Sequence, residues 1–348
     1  MSKRIITFEK AINEAIFSEM KRDKRVFLFG LDVTDHKRIF GTTTGLEAFG
    51  SERFFSTPLS EDAMTGVALG AAITGLRPIH VHIRVDFLML AMNQLVNMIA
   101  TTSSSTAGKL KAPIVIRAII GRGWGQGFQH SRSLQSLFAH VPGIKVVMPS
   151  RPYDVKGLLI SAIRDDNPVI VLEHRWLYWM EGEVPLDAYT VPLGESNILR
   201  SGRDITVVAT SWMNVEAMKA AEVLSRVHGV EVEIIDPRTI YPFDDKTIVK
   251  SVLKTGHCIV ADYDWEFCGF SAEVAARVAE KCFNKLKSPV SRIAFPHVQC
   301  PTTRPLENVF YPNAVTIIRE VEKKLKLPKA NLQDENFYSW ENKFKGPF

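Results

Sequence analysis

The strongest constraint on this chain is a rhythm in which short, unbroken apolar runs alternate with segments of helical spacing. VFLFG (Val26–Gly30), APIVIRAI (Ala112–Ile119), IKVVMPS (Ile144–Ser150) and PVIVLEH (Pro168–His174) carry little or no polar alternation. Such runs suit strands buried on both faces of a parallel sheet. Between them, Ile5, Ile6, Phe8, Ala11, Ile12, Ala15 and Ile16 form one helical stripe, and SEDAMTGVALGAAITG and DVKGLLISAIRD read as two further helices. A stretch of roughly 175 residues built this way predicts an α/β domain. The composition then shifts: Glu181–Gly202 is rich in Pro, Gly and charge and reads as a linker. A second series follows, in which ITVVAT, VEVEIID, HCIVAD and PVSRIAF are separated by helices predicted over 212–227, 243–253 and 270–285. The expected architecture is α/β with two domains, each a mainly parallel sheet flanked by helices. The boundaries are set at residues 1–195 (linker included), 196–335 and a C-terminal tail, 336–348.

Composition narrows the functional classes. An apolar share of 46% in 348 residues is enough for two ordinary cores. The 43 Lys and Arg against 38 Asp and Glu leave a scattered charge of +5, unlike a nucleic-acid-binding tail. The longest apolar tract, Val67–Leu76, is shorter than the roughly 20 residues that cross a bilayer. The basic N-terminus meets Glu9 before any long apolar core, so no signal peptide is expected. Cys258, Cys268, Cys282 and Cys300 form no CxxC pair and read as reduced thiols of a cytoplasmic protein. Neither a nucleic acid nor a membrane is an expected partner.

Several segments carry chemistry-bearing residues. Gln129-His130-Ser131 ends a loop containing Gly121, Gly123, Gly125 and Gly127, whose glycines let backbone approach a ligand. A histidine there can hydrogen-bond a carbonyl or move a proton near neutral pH, or simply face solvent. The loop lacks the GxxxxGK arrangement of a phosphate loop. Glu61 follows Ser60, a candidate helix cap, and by itself reads as a first-turn carboxylate favoured by the helix dipole. IHVHIRVDF alternates as a strand over Ile79–Phe87, with His80 and His82 on one face and Phe87 at its end as a core residue. A zinc site there would lack a third ligand. The absence of a G-x-S-x-G elbow disfavours a hydrolase of the nucleophile-elbow type.

Taken in order, TPLSEDAMTGVALGAAITGLRP, VDF, PIVIRA, GQGFQHSRSLQSLFAHVPGIKVVMPS, DVKGLLISAIRDDNPVIVLEH and DPRTIYPFD resemble the β subunit (E1 β) of thiamine-diphosphate-dependent 2-oxo acid dehydrogenases. That family belongs to the transketolase-like superfamily, and the likeness runs from about residue 5 to residue 330. It implies a pyrimidine-binding domain followed by a transketolase C-terminal-like domain. Glu61 then matches the glutamate that hydrogen-bonds N1′ of the cofactor's aminopyrimidine, favouring the tautomer whose N4′ takes the proton from C2 of the thiazolium. Phe87 matches the aromatic packed on the pyrimidine, Leu59 another cofactor contact, and His130 the histidine that orients substrate or assists acyl transfer. Ile114, Ala162, Ile163, Asp165 and Asn167 match a structural potassium site made mostly of backbone carbonyls. The chain contains no GDG segment, which in this family lies in the α subunit and holds the diphosphate through Mg2+. The resemblance therefore implies an α2β2 heterotetramer with the cofactor between α and β chains, much β–β contact from the second domain, a 2-oxo acid substrate and a lipoyl-bearing E2 acceptor.

The chain departs from the family pattern at several points. Leu31 stands in Gly30-Leu31-Asp32-Val33 where relatives carry GEDV or GEEV, Val81 replaces a glutamate, His82 replaces an apolar or aromatic residue, and IFGTTTGL lacks the usual glycine pair. These changes motivate a second reading, a thiamine-dependent acyl or ketol transferase acting on a small acceptor in biosynthesis. A non-catalytic structural subunit is a third reading, opposed by the joint retention of Glu61, Phe87 and His130.

Overall fold

The structure, a computed structural model, describes residues 4–121, 126–335 and 337. The chain divides into two compact units. The first takes the residues up to Gly121, then Ser133–Leu193 and Thr239–Pro242; the second takes the segment ending at Arg132, then Gly194–Arg238 and the chain from Phe243 onward. Gly121 thus belongs to the first unit, residues 126–132 of the glycine-rich loop, His130 among them, cluster with the second, and Gly123 and Gly125 lie outside the described residues.

The first unit begins with β1 (Ile5–Thr7) and α1 (Phe8–Arg22). Its main strands are β2 (Val26–Gly30), β3 (Phe54–Ser56), β4 (Arg77–His82), β5 (Val115–Ile120), β6 (Lys145–Val147) and β7 (Val169–His174), followed by the short β8 (Glu181–Glu183). The apolar runs VFLFG, VIRAII and VIVLEH are buried throughout, as a sheet covered on both faces requires. In the second unit come β9 (Asn197–Arg200), β10 (Ile205–Ala209) and β11 (Val232–Asp236). The next strand, β12 (Thr239–Tyr241), belongs with the first unit and pairs antiparallel with β6. It completes a seven-stranded sheet in the order β12-β6-β7-β5-β4-β2-β3, whose other pairings are parallel. With β13 (Cys258–Trp265) and β14 (Ser291–Phe295), the second unit forms a five-stranded sheet, β14-β13-β10-β11-β9, antiparallel only at β9.

Two local readings change. The alternation through Ile79–Phe87 ends as a strand at His82; Val85–Leu88 is helix (α3, with α2 preceding it at Glu61–Ile73), and helical turns continue to Ile99. The buried residues Val85, Leu88, Ala91, Leu95 and Ile99 recur every three or four positions, so a helical period overrides the alternation from Val85 onward. Phe87 therefore sits on a helix rather than at a strand end. The segment read as a linker contains β8, paired with β1, and β9, so part of it is ordered by ladders formed with distant strands. Among the described residues no helix is long and apolar enough to cross a membrane.

Polar groups in the first sheet gather toward the carboxyl ends of its strands. Arg117 on β5 donates from Nε to Glu173 Oε1 of β7 at 2.6 Å and from Nη2 to Oε2 at 2.8 Å, and the Tyr178 hydroxyl donates to the same carboxylate at 2.9 Å. The pair is buried, at 1% and 0% side-chain exposure. Burial works against the charged guanidinium, yet Glu173 holds its pKa above the usual arginine value; burial and then Glu173 push the Tyr178 hydroxyl well above 10. A bidentate pair in this setting is expensive to break one-sidedly, because the survivor is left as an uncompensated buried charge. Replacing Glu173 with Ala is expected to cost roughly 3–5 kcal/mol in denaturant unfolding, and the Arg117→Met, Glu173→Leu double variant is expected to recover most of that loss.

Candidate functional site

The parallel strands β2, β3 and β4 point their carboxyl ends the same way, and the chain leaving them lines one pocket. Leu31 follows β2, Thr57–Ser60 follow β3 and lead into Glu61 at the start of α2, and His80–Arg84 end β4; Met64 and Phe87 complete the wall. Clefts outside the carboxyl ends of strands are where open α/β sheets take ligands. The cavity is small, about 50 Å³, room for the edge of a ring rather than for a whole cofactor. Close strand approach shapes its floor: a Cβ on Gly30 would stand 2.4 Å from the Val81 carbonyl oxygen, so only glycine lets β2 and β4 meet there. Helix α2 begins without a side-chain bond from Ser60, so Ser60 sits at the cap position but does not cap. That leaves Glu61 in the first turn, where the helix dipole favours a carboxylate.

Three of the sequence-predicted residues meet here. Glu61 is half-buried, Leu59 is 72% exposed, and Phe87 is 37% exposed on a helix whose neighbours Val85 and Leu88 are core. An exposed Leu59 and a partly exposed aromatic ring leave apolar surface available to a ligand.

Around them lies a concentration of buried cationic and imidazole groups: the alternation of the sequence places His80, His82 and Arg84 on one face, but shows neither their burial nor that of Arg175. His80 stacks on Phe29 with ring centroids 4.5 Å apart, and His82 meets His80 edge-on at 4.3 Å. Burial lowers His80 to about 4; burial and then the neighbouring His80 hold His82 well below 6.5, so both rings are neutral at pH 7. Arg84, on the pocket wall, is buried, and desolvation lowers its pKa against the support of Asp86. Arg175 is lowered to about 9, by burial first and then by the positive charge of Arg84, while its guanidinium lies 5.0 Å from the centre of the Phe40 ring. The signal available in sequence was a charged or imidazole residue at the end of each apolar run, His82-Ile83-Arg84 and Glu173-His174-Arg175.

His130 is described within the second unit. It ends the turn Gly127–Gln129, with its N–H donating to the Gly127 carbonyl at 3.4 Å. Gly127 has a φ of +64°, and a Cβ there would stand 2.6 Å from Thr302 Cγ2. Next to His130, the Ser131 carbonyl accepts from the Tyr311 hydroxyl at 2.9 Å. The turn is thus fixed on both sides of the histidine, whose ring is half-buried.

The residues matched to a potassium site cluster around the end of the helix Pro152–Arg164 and the start of β7. Arg77 donates from Nε to the Ile163 carbonyl at 2.8 Å and from Nη2 to the Asp165 carbonyl at 2.6 Å. Lys145 pairs with the Asp165 carboxylate, Asn167 donates from Nδ2 to the same carboxylate at 3.0 Å, the Ala162 carbonyl accepts from Asp165 N–H, and the Ile114 carbonyl from Val169 N–H. Carbonyls converge here on positive charge, and each keeps a second lone pair. Among the described residues no group of three His, Cys, Asp or Glu side chains could hold a metal. A larger groove in the second unit, about 840 Å³, is lined by charges already paired, such as Arg292 with Glu266 at 2.8 Å and Arg319 with Glu322 at 2.7 Å.

A parallel sheet that gathers a carboxylate, an aromatic ring and buried imidazoles at its carboxyl edge has the form of an α/β ligand-binding subunit. The model of the transketolase pyrimidine-binding domain matches residues 4–180, and that of the transketolase C-terminal domain matches residues 194–317. The chain is 41% identical to the β subunit of acetoin:2,6-dichlorophenolindophenol oxidoreductase from Cupriavidus necator, covering 93% of this chain and 98% of that one. It is 40% identical to the 2-oxoisovalerate dehydrogenase β subunit of Bacillus subtilis, over 89% and 95% of the two chains. Identity is also 40% with the pyruvate dehydrogenase E1 component β subunit of Staphylococcus epidermidis, over 92% and 98%. In fold it is similar to a split-gene transketolase described as an inactive β4 tetramer, with a TM-score of 0.75, 20% identity, and coverage of 93% and 99%. The chain belongs to the transketolase-like family, among the enzyme subunits of the dehydrogenase E1 β type.

Buried neutral imidazoles tie stability to pH. Unfolding returns His80 to a pKa near 6.5 from about 4, so between these values the unfolded chain binds more protons. Stability is then expected to fall as pH drops from 6.5 toward 4, by on the order of 3 kcal/mol from this residue. Urea unfolding across that range is expected to show a slope that His80→Phe flattens.

Proposed function

We propose that this chain is the β half of a thiamine-diphosphate-dependent 2-oxo acid dehydrogenase, active only with an α subunit. The observation that carries the reading is one pocket lined by Glu61, Leu59 and Phe87 at the carboxyl ends of β2, β3 and β4. A half-buried carboxylate beside a partly exposed aromatic ring suits the polar edge and the face of an aminopyrimidine. Thiamine diphosphate, when bound, supplies a nucleophilic carbon and an electron sink for decarboxylation. In this assignment Glu61 holds a proton at ring nitrogen N1′, Phe87 packs on the ring, and Leu59 shields it from water. His130 orients the substrate or moves a proton during acyl transfer, a task suited to a positioned imidazole.

The remaining parts are assigned to partners. The diphosphate and its Mg2+ belong to an α chain bearing a GDG segment, in an α2β2 assembly, and a lipoyl-bearing E2 takes the acyl group. Potassium, where bound, uses the second lone pairs of the carbonyls around residues 162–167 and shares them with Arg77. The setting is the cytoplasm. Leu31, Val81 and His82 on the pocket wall favour a second reading, transfer of an acyl or ketol unit to a small acceptor.

Co-expression with an α chain carrying the GDG segment, followed by product analysis on a panel of 2-oxo acids with and without a lipoyl domain, tests the reading. Carbon dioxide release with acylation of the lipoyl domain is the expected result. Release with product formed only when a small carbonyl acceptor is added would select the second reading. No turnover with any 2-oxo acid, in a complex that binds the cofactor, would contradict both.

A further inference from the structure

β14 is an edge strand of the second sheet, bonded to β13 alone. The Phe295 carbonyl accepts from the N–H of Glu266, just past β13, at 3.0 Å, so the backbone of Phe295 faces β13. Backbone direction alternates along a strand. Ser291 and Ile293 therefore face β13 too, in register with Ile259 and Ala261, while Arg292 and Ala294 turn N–H and C=O away from the sheet. Among the described residues no hydrogen bond reaches those four groups. The edge opens on the groove of about 840 Å³, which Arg292, Ile293 and Ala294 all line. Ile293 projects from the opposite face to the other two, so the groove follows the edge of the strand rather than one face. Another wall comes from the helix Ala314–Leu325, through Arg319 and Lys323, and Val309 stands beside it 82% exposed. The free charge in the groove is positive. Glu266 is held by Arg292, Glu322 by Arg319, and Glu320 accepts from the Ser291 hydroxyl at 2.7 Å. Lys323 is 79% exposed with Glu320 only at 3.7 Å, and Lys329 carries no ion pair among the described residues.

We infer that this groove is a docking site in which an extended, acidic segment of another protein adds a sixth strand beside β14. A bare ladder edge is complementary to a peptide that supplies the missing N–H and C=O groups. Arg292 and Ala294 exchange backbone hydrogen bonds with the added strand, Val309 meets an apolar side chain, and Lys323 and Lys329 meet its carboxylates. The ladder ends at Pro296, which has no N–H and whose carbonyl accepts from the Val298 N–H at 2.7 Å. A second copy of this chain, paired edge to edge, would set the same basic groove against itself, and like charges across a strand pair are destabilising. The groove belongs to the second unit and the Glu61 pocket to the first, so the inference does not depend on the thiamine reading.

The test uses the full chain and two fluorescein-labelled hexapeptides, one alternating Val and Glu and the other alternating Val and Lys, with binding read by fluorescence anisotropy. The Val–Glu peptide is expected to bind about fivefold more tightly than its Val–Lys counterpart, and a Lys323→Glu, Lys329→Glu double variant to reverse that order. Ala294→Pro removes one N–H from an edge position where proline is tolerated, and is expected to weaken the Val–Glu peptide about tenfold. Amide hydrogen–deuterium exchange of the wild-type chain supplies a readout that needs no variant. Adding the Val–Glu peptide should slow exchange at Arg292 and Ala294 and leave Ile293, already bonded to β13, unchanged. Unaltered exchange at Arg292 and Ala294, equal affinity for the two peptides, or full affinity in a folded Ala294→Pro variant would each overturn the inference. Slow exchange at both amides without peptide, in a chain that sediments as a dimer, would also overturn it and give the edge to a second copy.

Discussion

The Arg117–Glu173 pair sets the terms for the first unit. A parallel sheet covered on both faces has no water for its polar side chains, so a charge placed inside it must bring its own counter-charge. Here the two residues come from neighbouring strands, β5 and β7, and Tyr178 closes the remaining side of the carboxylate. With that requirement met at the centre, the carboxyl ends of the strands carry a dense set of buried titratable groups, from His80 and His82 to Arg84 and Arg175. The ligand pocket opens at that same edge. Polar groups collected there are held in place by packing before any ligand arrives, which is the physical meaning of a preorganised site.

The pocket is also small, at about 50 Å³. Its rim includes the exposed Leu59 and the partly exposed Phe87. The chain leaves apolar surface open around this cleft, in keeping with membership in a family of β subunits. Leu31 and Val81 stand on the pocket wall where the resemblance led one to expect carboxylates. Glu61 is then the one carboxylate among the pocket's described lining residues, with neutral imidazoles on the same wall.

Much of the fold was legible because β2, β5 and β7 are buried on both faces, and burial writes itself into sequence as an unbroken apolar run. β4 was legible only to His82: the residues beyond it alternate by accident of composition, while Val85, Leu88 and Ala91 already follow a helical period. β1, β8 and β12 are three residues each, and their pairing depends on strands far away in sequence, so no local pattern could announce them. The site divides in the same way. Glu61, Phe87 and His130 were found through motif resemblance and not through physics read from the residues, since each alone looks like a helix-start acid, a core aromatic or a loop histidine. The Arg117–Glu173 pair was invisible because its members are 56 residues apart and meet only when β5 and β7 align. The open edge of β14 is a property of the assembled sheet and has no sequence signature at all.

The central claim is that Glu61 activates a thiamine ring held in this pocket. Hydrogen–deuterium exchange at C2 of the bound thiazolium measures that activation directly, before any substrate is added. In the assembled α/β complex, saturated with cofactor, Glu61→Gln is expected to slow the exchange by about 10²–10⁴-fold while the protein unfolds at the wild-type temperature. Exchange at the wild-type rate in the saturated variant would contradict the claim and return Glu61 to the role of a first-turn carboxylate.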